Sequence, residues 1–294
     1  MTALQNGRDQ AKGALIVLGV GVIWSSGGLI LRSMESATSW QVMFYRSIGM
    51  ALGLLLAIAI RNRGNLVDPF RRMGWSGLLV GGVLTCSTIC YVLAINGTTV
   101  ANAMFVMSTG PFFTALLAWI FLGEKVRPLT WAAIGVAILG MGLMSGAGRA
   151  GEDWHGMLFA AGNAVAFASI VVLTRYYREV DIVPAFVVGA VLLGIITAAT
   201  TDLGVSLHDA LLGIGFGAFH SAAGLALLAI GARYVTAATA GLLMLSEPIL
   251  SPIWVWLAID ETPTLMALVG GLFVLAAVTG QALHSFYDER RATG

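Results

Sequence analysis

Polar and apolar positions along this chain fall into long alternating blocks. Stretches of about 20 apolar residues are the length a helix needs to cross a hydrocarbon core of roughly 30 Å. Laid along the chain, that ruler predicts ten helices, at 13–32, 40–60, 75–95, 98–122, 128–146, 155–174, 183–201, 208–230, 235–258 and 264–286. The joints are short, the longest polar ones running from Arg61 to Arg72 and from Gly146 to Asp153, so no room is left for a soluble domain. An all-α membrane protein of ten transmembrane helices is therefore expected. The first dozen residues are polar, with Arg8 and Lys12, and lead into an apolar run long enough to read as an uncleaved first span.

Composition narrows the class. With 58% hydrophobic residues, 11% charged residues and a mean hydropathy of +0.87, the chain departs from soluble domains, whose charged fraction is about 25%. Its 37 glycines suit helices that approach closely in lipid. Gly49/Gly53, Gly77/Gly81 and Gly142/Gly146 are small-xxx-small pairs that predict such contacts. Trp40, Trp75, Trp131 and Trp154 fall at span ends, where an indole prefers the interface. Cys86 and Cys90, one turn apart in one segment, read as two buried thiols. A net charge of +1 gives no sign of nucleic-acid binding.

The chain is a duplication. Thr99, Ala101, Ala103, Met107, Pro111, Trp119 and Glu124 recur 137 positions later as Thr236, Ala238, Ala240, Met244, Pro248, Trp256 and Glu261, in one ungapped register. A weaker echo relates Val22–Arg32 to Val165–Arg175 at a separation of 143. With the N-terminus inside, 13 of the 16 Lys and Arg fall in inner segments, Arg32 and Arg149 fall outside, and Arg46 lies within a span. Basic flanks stay cytoplasmic, so both termini are expected in the cytoplasm. Five spans per copy then make the second copy insert upside down, the plan of many secondary transporters.

Polar residues at mid-span are costly and mark candidate sites. Glu247 stands near the centre of the ninth segment, directly before Pro248; its counterpart in the first copy is Gly110. Such a carboxylate can bind a cation, a proton or a substrate ammonium, or it can be neutralised by Arg46. Pro111 and Pro248 each remove a backbone hydrogen bond and are expected to kink the fourth and ninth helices. His220, mid-way along the eighth, can carry a proton or bond a neighbouring carbonyl. Arg46 can hold a substrate carboxylate or pair with an acid. Trp24, Ser25 and Ser26, with Asn163 and Ser169 in the matching sixth segment, join Tyr91, Met107 and Met244 in framing a modest cavity for a small, partly apolar or zwitterionic solute. No His-Glu-x-x-His and no phosphate loop of the Gly-x-x-x-x-Gly-Lys type is present, which argues against a metalloprotease or an ATP-driven pump. Neither a metal nor a cofactor is expected, and the chain reads as a non-enzyme.

These residues resemble the drug/metabolite transporter superfamily in its ten-helix EamA-type branch. The resemblance is carried by Arg46, by Thr99–Ala103 leading to Pro111 and Leu122-Gly123-Glu124, and by Ala232-Arg233-Tyr234-Val235 leading to Glu247-Pro248 and Asp260-Glu261. In size and overall character the chain is similar to the bacterial amino acid exporters of the YddG type. The resemblance implies two inverted five-helix EamA repeats, 1–146 and 147–294. It also implies a secondary transporter exporting aromatic or neutral amino acids, or similar metabolites, across a bacterial inner membrane by alternating access. Drugs, purines or other metabolites are the alternative cargo, and a non-transporting membrane protein is a further reading. Proton coupling and facilitated transport stay open, as do monomer and homo-oligomer. Asp260 departs from the family's usual glycine.

Overall fold

The computed structural model describes residues 3–123, 126, 128–145, 153–177, 182–231, 233–235 and 237–293. Glu124, Lys125, Arg127, Gly146, Arg149, Arg178, Ala232 and Thr236, used above for register and orientation, lie outside the described residues.

All ten predicted spans are helical. Among the described residues nine helices are long and apolar enough to cross a membrane, and Pro128–Met144 is a shorter apolar one. The elements are α1 (Ala3–Ser25), α2 (Gly27–Arg32), α3 (Ser39–Arg61), α4 (Val67–Gly97), α5 (Val100–Met107), α6 (Gly110–Leu122) and α7 (Pro128–Ser145). They continue with α8 (Asp153–Tyr176), α9 (Ile182–Thr200), α10 (Leu207–Gly215), a π-helix (Phe216–Ala223), α11 (Gly224–Gly231), α12 (Ala237–Met244), α13 (Ser246–Ile259) and α14 (Leu265–Thr293). Two begin earlier than the apolar pattern suggests. The polar leader is already helical in α1, and α4 opens with Val67–Met73 before a break at Gly74, whose φ of 60° and ψ of −163° are not helical.

Helices pack mainly on the other half of the chain. The third span, α4, lies against α8 and α9; in mirror fashion the eighth, α10 through α11, lies against α1 and α3; α7 pairs with α14. Lipid offers helices no hydrophobic reward for meeting, so backbone proximity and hydrogen bonds must supply it. Glycines allow that proximity. A Cβ on Gly81 would press on the Ala185 carbonyl, one on Gly49 on the Ile214 carbonyl, and one on Gly217 on the Arg46 carbonyl. Beside the first contact, Thr85 Oγ1 donates to the Gly189 carbonyl at 2.9 Å. Of the predicted pairs, Gly77 faces its own Met73 side chain and Gly142 has open space, so the spacing alone overstated contact there.

Three spans are broken near mid-length. The fourth breaks at Ser108 and Thr109, whose hydroxyls turn back onto Phe105 and Val106 carbonyls at 2.7 and 2.6 Å, and the ninth breaks at Leu245. Pro111 and Pro248 follow each break and take the helical donor away from the carbonyls four residues back, those of Met107 and Met244. The first span breaks at Ser26 without a proline, its hydroxyl bonded to the Ile23 carbonyl. The repeats also share a left-handed stop: Gly123 (φ 69°) closes α6 and Asp260 (φ 55°) closes α13. A left-handed non-glycine costs about 1–2 kcal/mol, so Asp260 holds the repeat's shape against its own preference.

Candidate functional site

Around Arg46 the second, third and eighth spans meet, and the first and ninth lie beside them. This guanidinium carbon sits 4.4 Å from the Phe216 ring centre and 5.2 Å from that of Tyr91. Arg46 Nε donates to Ser221 Oγ at 3.1 Å. Cation–π contact and one hydroxyl therefore take the place of the acid partner that the sequence suggested, and no Arg46–Glu247 ion pair forms among the described residues. Nη1 is buried without a partner.

The π-helix sets His220 against the first span. Its extra residue per turn is visible in Ser221, whose hydroxyl reaches back five residues to the Phe216 carbonyl at 3.4 Å. The His220 ring lies 4.6 Å from the Phe216 ring. His220 Nε2 stands 2.9 Å from the Trp24 carbonyl, while Trp24 Nε1 donates to the His220 carbonyl at the same distance. A carbonyl only accepts, so Nε2 carries the proton and Nδ1 presents a lone pair, buried and unpartnered. The expectation that His220 bonds a neighbouring carbonyl thus holds. Gly27, just past the break, is required here: a Cβ would strike both Tyr91 Oη and His220 Nε2.

Tyr91 Oη and Ser251 Oγ are also buried without partners; Arg32 Nε, Asn102 Oδ1 and Gln281 Oε1 share that condition outside the cluster. Ser251 Oγ lies against Gly28, and Tyr91 is within electrostatic reach of both Arg46 and Glu247. Glu247 itself is half-buried in the first turn of α13. The cluster therefore offers an unpaired cation, two hydroxyls, an imidazole lone pair and a carboxylate, framed by aromatic rings. Trp24, Arg46 and Tyr91 come from the first half; Phe216, His220, Ser221, Glu247 and Ser251 come from the second.

Other candidates serve the frame. Ser25 Oγ donates to the Val22 carbonyl at 2.7 Å and accepts from Trp254 Nε1 at 2.8 Å, joining the first and ninth spans. Asn163 Nδ2 donates to the carbonyl and hydroxyl of Ser87 at 2.8 and 3.0 Å, which ties the sixth span to the third. Met107 packs on the core around Tyr91, and Met244 ends α12 at the break, half-buried. Ser169 bonds its own helix at the Val165 carbonyl. Cys86 is exposed and Cys90 half-buried, correcting the expectation of two buried thiols, because Cys86 falls on the outer face of α4. Phe216, Ser221, Ser251 and Trp254 were not singled out from sequence, although Ser251 stands one turn beyond Glu247.

One end of the bundle is knotted by polar contacts across the halves. Arg32 Nη2 donates to the Thr98 carbonyl at 2.8 Å, and Arg32 Nε lies 3.1 Å from Glu261 Oε2, an ionic contact outside hydrogen-bond alignment. Glu261 Oε1 accepts from the Val100 amide at 2.8 Å. Buried Asp209 accepts from the amides of Glu35, Ser36 and Ala37 at 2.9–3.0 Å. Gln41 Nε2 and Tyr45 Oη donate to the carbonyls of Asp202, Gly204 and Leu203 at 2.7–3.0 Å.

Comparison with known proteins agrees with this layout. The profile of the EamA-like transporter family matches residues 11–146 and again 154–281. Among curated proteins, the pseudopaline exporter CntI of Pseudomonas aeruginosa is 24% identical over 265 residues, 85% of this chain and 88% of that one. An uncharacterized transporter of Archaeoglobus fulgidus is 28% identical over 205 residues, 69% of this chain and 73% of its own. One from Vibrio cholerae is 24% identical over 145 residues, so the chain spans about half that relative's length, 46%. A solved crystal structure shares the fold with a TM-score of 0.67 at 19% identity, covering 95% of this chain and 99% of the other.

Proposed function

Because the chain belongs to the EamA-like transporter family and is a multi-pass membrane transporter of small solutes, we propose that it exports zwitterionic metabolites, amino acids among them, across a bacterial inner membrane. One observation carries the reading. Buried and unpartnered, Arg46 Nη1, Tyr91 Oη and His220 Nδ1 converge where the halves meet, with Glu247 in electrostatic reach of Tyr91. A solute carboxylate satisfies Arg46 and Tyr91, and its ammonium satisfies His220 Nδ1 and Glu247. With a single buried arginine the cluster is poorly suited to a phosphorylated solute. An exporter among the relatives supports the outward direction.

Transport proceeds by alternating access. The end tied by Arg32 and Glu261 is the closed gate of this state, and the opposite end is where solute enters. The repeats, 1–146 and 147–294, rock against each other about the breaks at Thr109 and Leu245, with both termini cytoplasmic. Purified protein in liposomes is expected to move neutral and aromatic amino acids in mutual competition. Movement of another solute class with none of the amino acids overturns the proposal. Glu247→Gln is expected to lose most amino acid transport; retention of full transport removes Glu247 from the site.

A further inference from the structure

Residues 67 to 86 carry a second set of features that the central cluster does not use. Val67–Met73 is a short helical stretch set off from the third span by the non-helical Gly74. Arg71 and Arg72 are exposed on it and make no ion pair among the described residues; nearby Asp68 is engaged by Asn65 Nδ2 at 2.7 Å. Directly after the break comes Trp75, 85% exposed. From there an apolar groove of about 440 Å³ runs along α4, lined by Trp75, Leu78, Leu79, Gly82, Val83 and Cys86. The missing side chain of Gly82 deepens it.

Dimensions identify the occupant. From Trp75 to Cys86 a helix rises about 16 Å, about half of a 30 Å hydrocarbon core, hence one leaflet. No residue from Ser87 to Ile95 is exposed, so the open face ends at mid-membrane. A transmembrane helix of a second copy would need a face running the full span. An acyl chain needs one leaflet only. Two unneutralised guanidinium groups at its interfacial end select a negative headgroup, each attracting an anionic lipid by about 1 kcal/mol. We propose that this face binds one anionic phospholipid, its phosphate held by Arg71 and Arg72 and one acyl chain lying in the groove from Trp75 to Cys86.

Native mass spectrometry of the full chain, offered phosphatidylglycerol and phosphatidylcholine with identical chains, tests it. Wild type is expected to retain one phosphatidylglycerol with about thirtyfold preference, the sum of the two arginine contributions. Arg71→Gln with Arg72→Gln is expected to bring the preference to about even. Gly82→Leu, whose Cβ meets nothing within 4 Å, is expected to lose both lipids. Size-exclusion profiles and melting temperatures matching wild type confirm that the variants fold. Headgroup preference surviving in the arginine variant overturns the proposal, as does retained lipid in Gly82→Leu. Displacement by chain-free glycerol phosphate, or a dimer mass in place of lipid, overturns it equally.

Discussion

At the scale of single residues, Arg46 is held as a ligand-binding cation would be, between two rings and one hydroxyl, with one nitrogen left unused. Arg46→Gln keeps a donor for Ser221 but removes the charge and both ring contacts. It is expected to slow amino acid transport by at least about tenfold, the scale of a lost charge-assisted hydrogen bond. Initial rates in liposomes and melting temperature, measured side by side, decide this: a lowered melting temperature with unchanged transport makes Arg46 a structural residue. Sequence pointed to Arg46, His220, Glu247 and Tyr91 because polar groups at mid-span are rare and each must answer to something. It gave no such cue for Phe216 or Trp254, since an aromatic in an apolar run looks the same facing lipid or facing a guanidinium. Ser221 and Ser251 were equally silent. A lone serine usually bonds its own helix, and only the fold shows that Ser251 does not.

At the scale of elements, the ten spans were legible because a bilayer imposes one length on every helix. The breaks at Thr109 and Leu245 were legible too, since proline's missing N–H is a local property. The break at Ser26 and the π-helix around His220 were not. Both depend on partners in the other half: the Trp24 and His220 carbonyls are satisfied by each other's side chains rather than along their own helices alone. Pro248→Ala gives α12 and α13 the means to join into one helix. That variant is expected to slow exchange several-fold while leaving solute binding nearly unchanged, because the proline lies outside the cluster. Counterflow rates and ligand-induced thermal stabilisation separate the two effects. A parallel loss of binding would place Pro248 in the site and not in the hinge.

Over the whole molecule, the duplication accounts for two matched repeats that pack on each other, and the charge bias predicts opposite insertion of the two copies. Neither points to the polar contacts at one end of the bundle, where Arg32, Thr98, Val100 and Glu261, four residues in three joints, meet only in the folded chain. Arg32→Glu, which sets two acids face to face, is expected to weaken closure and cut transport severely. Adding Glu261→Arg is expected to restore a substantial part of the rate. Initial rates for the two single variants and the double variant check this, and a double variant no better than either single one disconnects the pair from gating.

The glycine seam between Gly81 and Gly189 has a consequence for how this protein is made. Those positions are 108 residues apart, and at about 5–20 residues per second the ribosome takes about 5–20 s to deliver the second after the first. Throughout that interval the third span stands in the bilayer with its narrow face uncovered, a substrate for membrane quality control. A first half synthesised alone would stay in that condition for its whole lifetime, so the seam ties the fate of each repeat to the presence of the other.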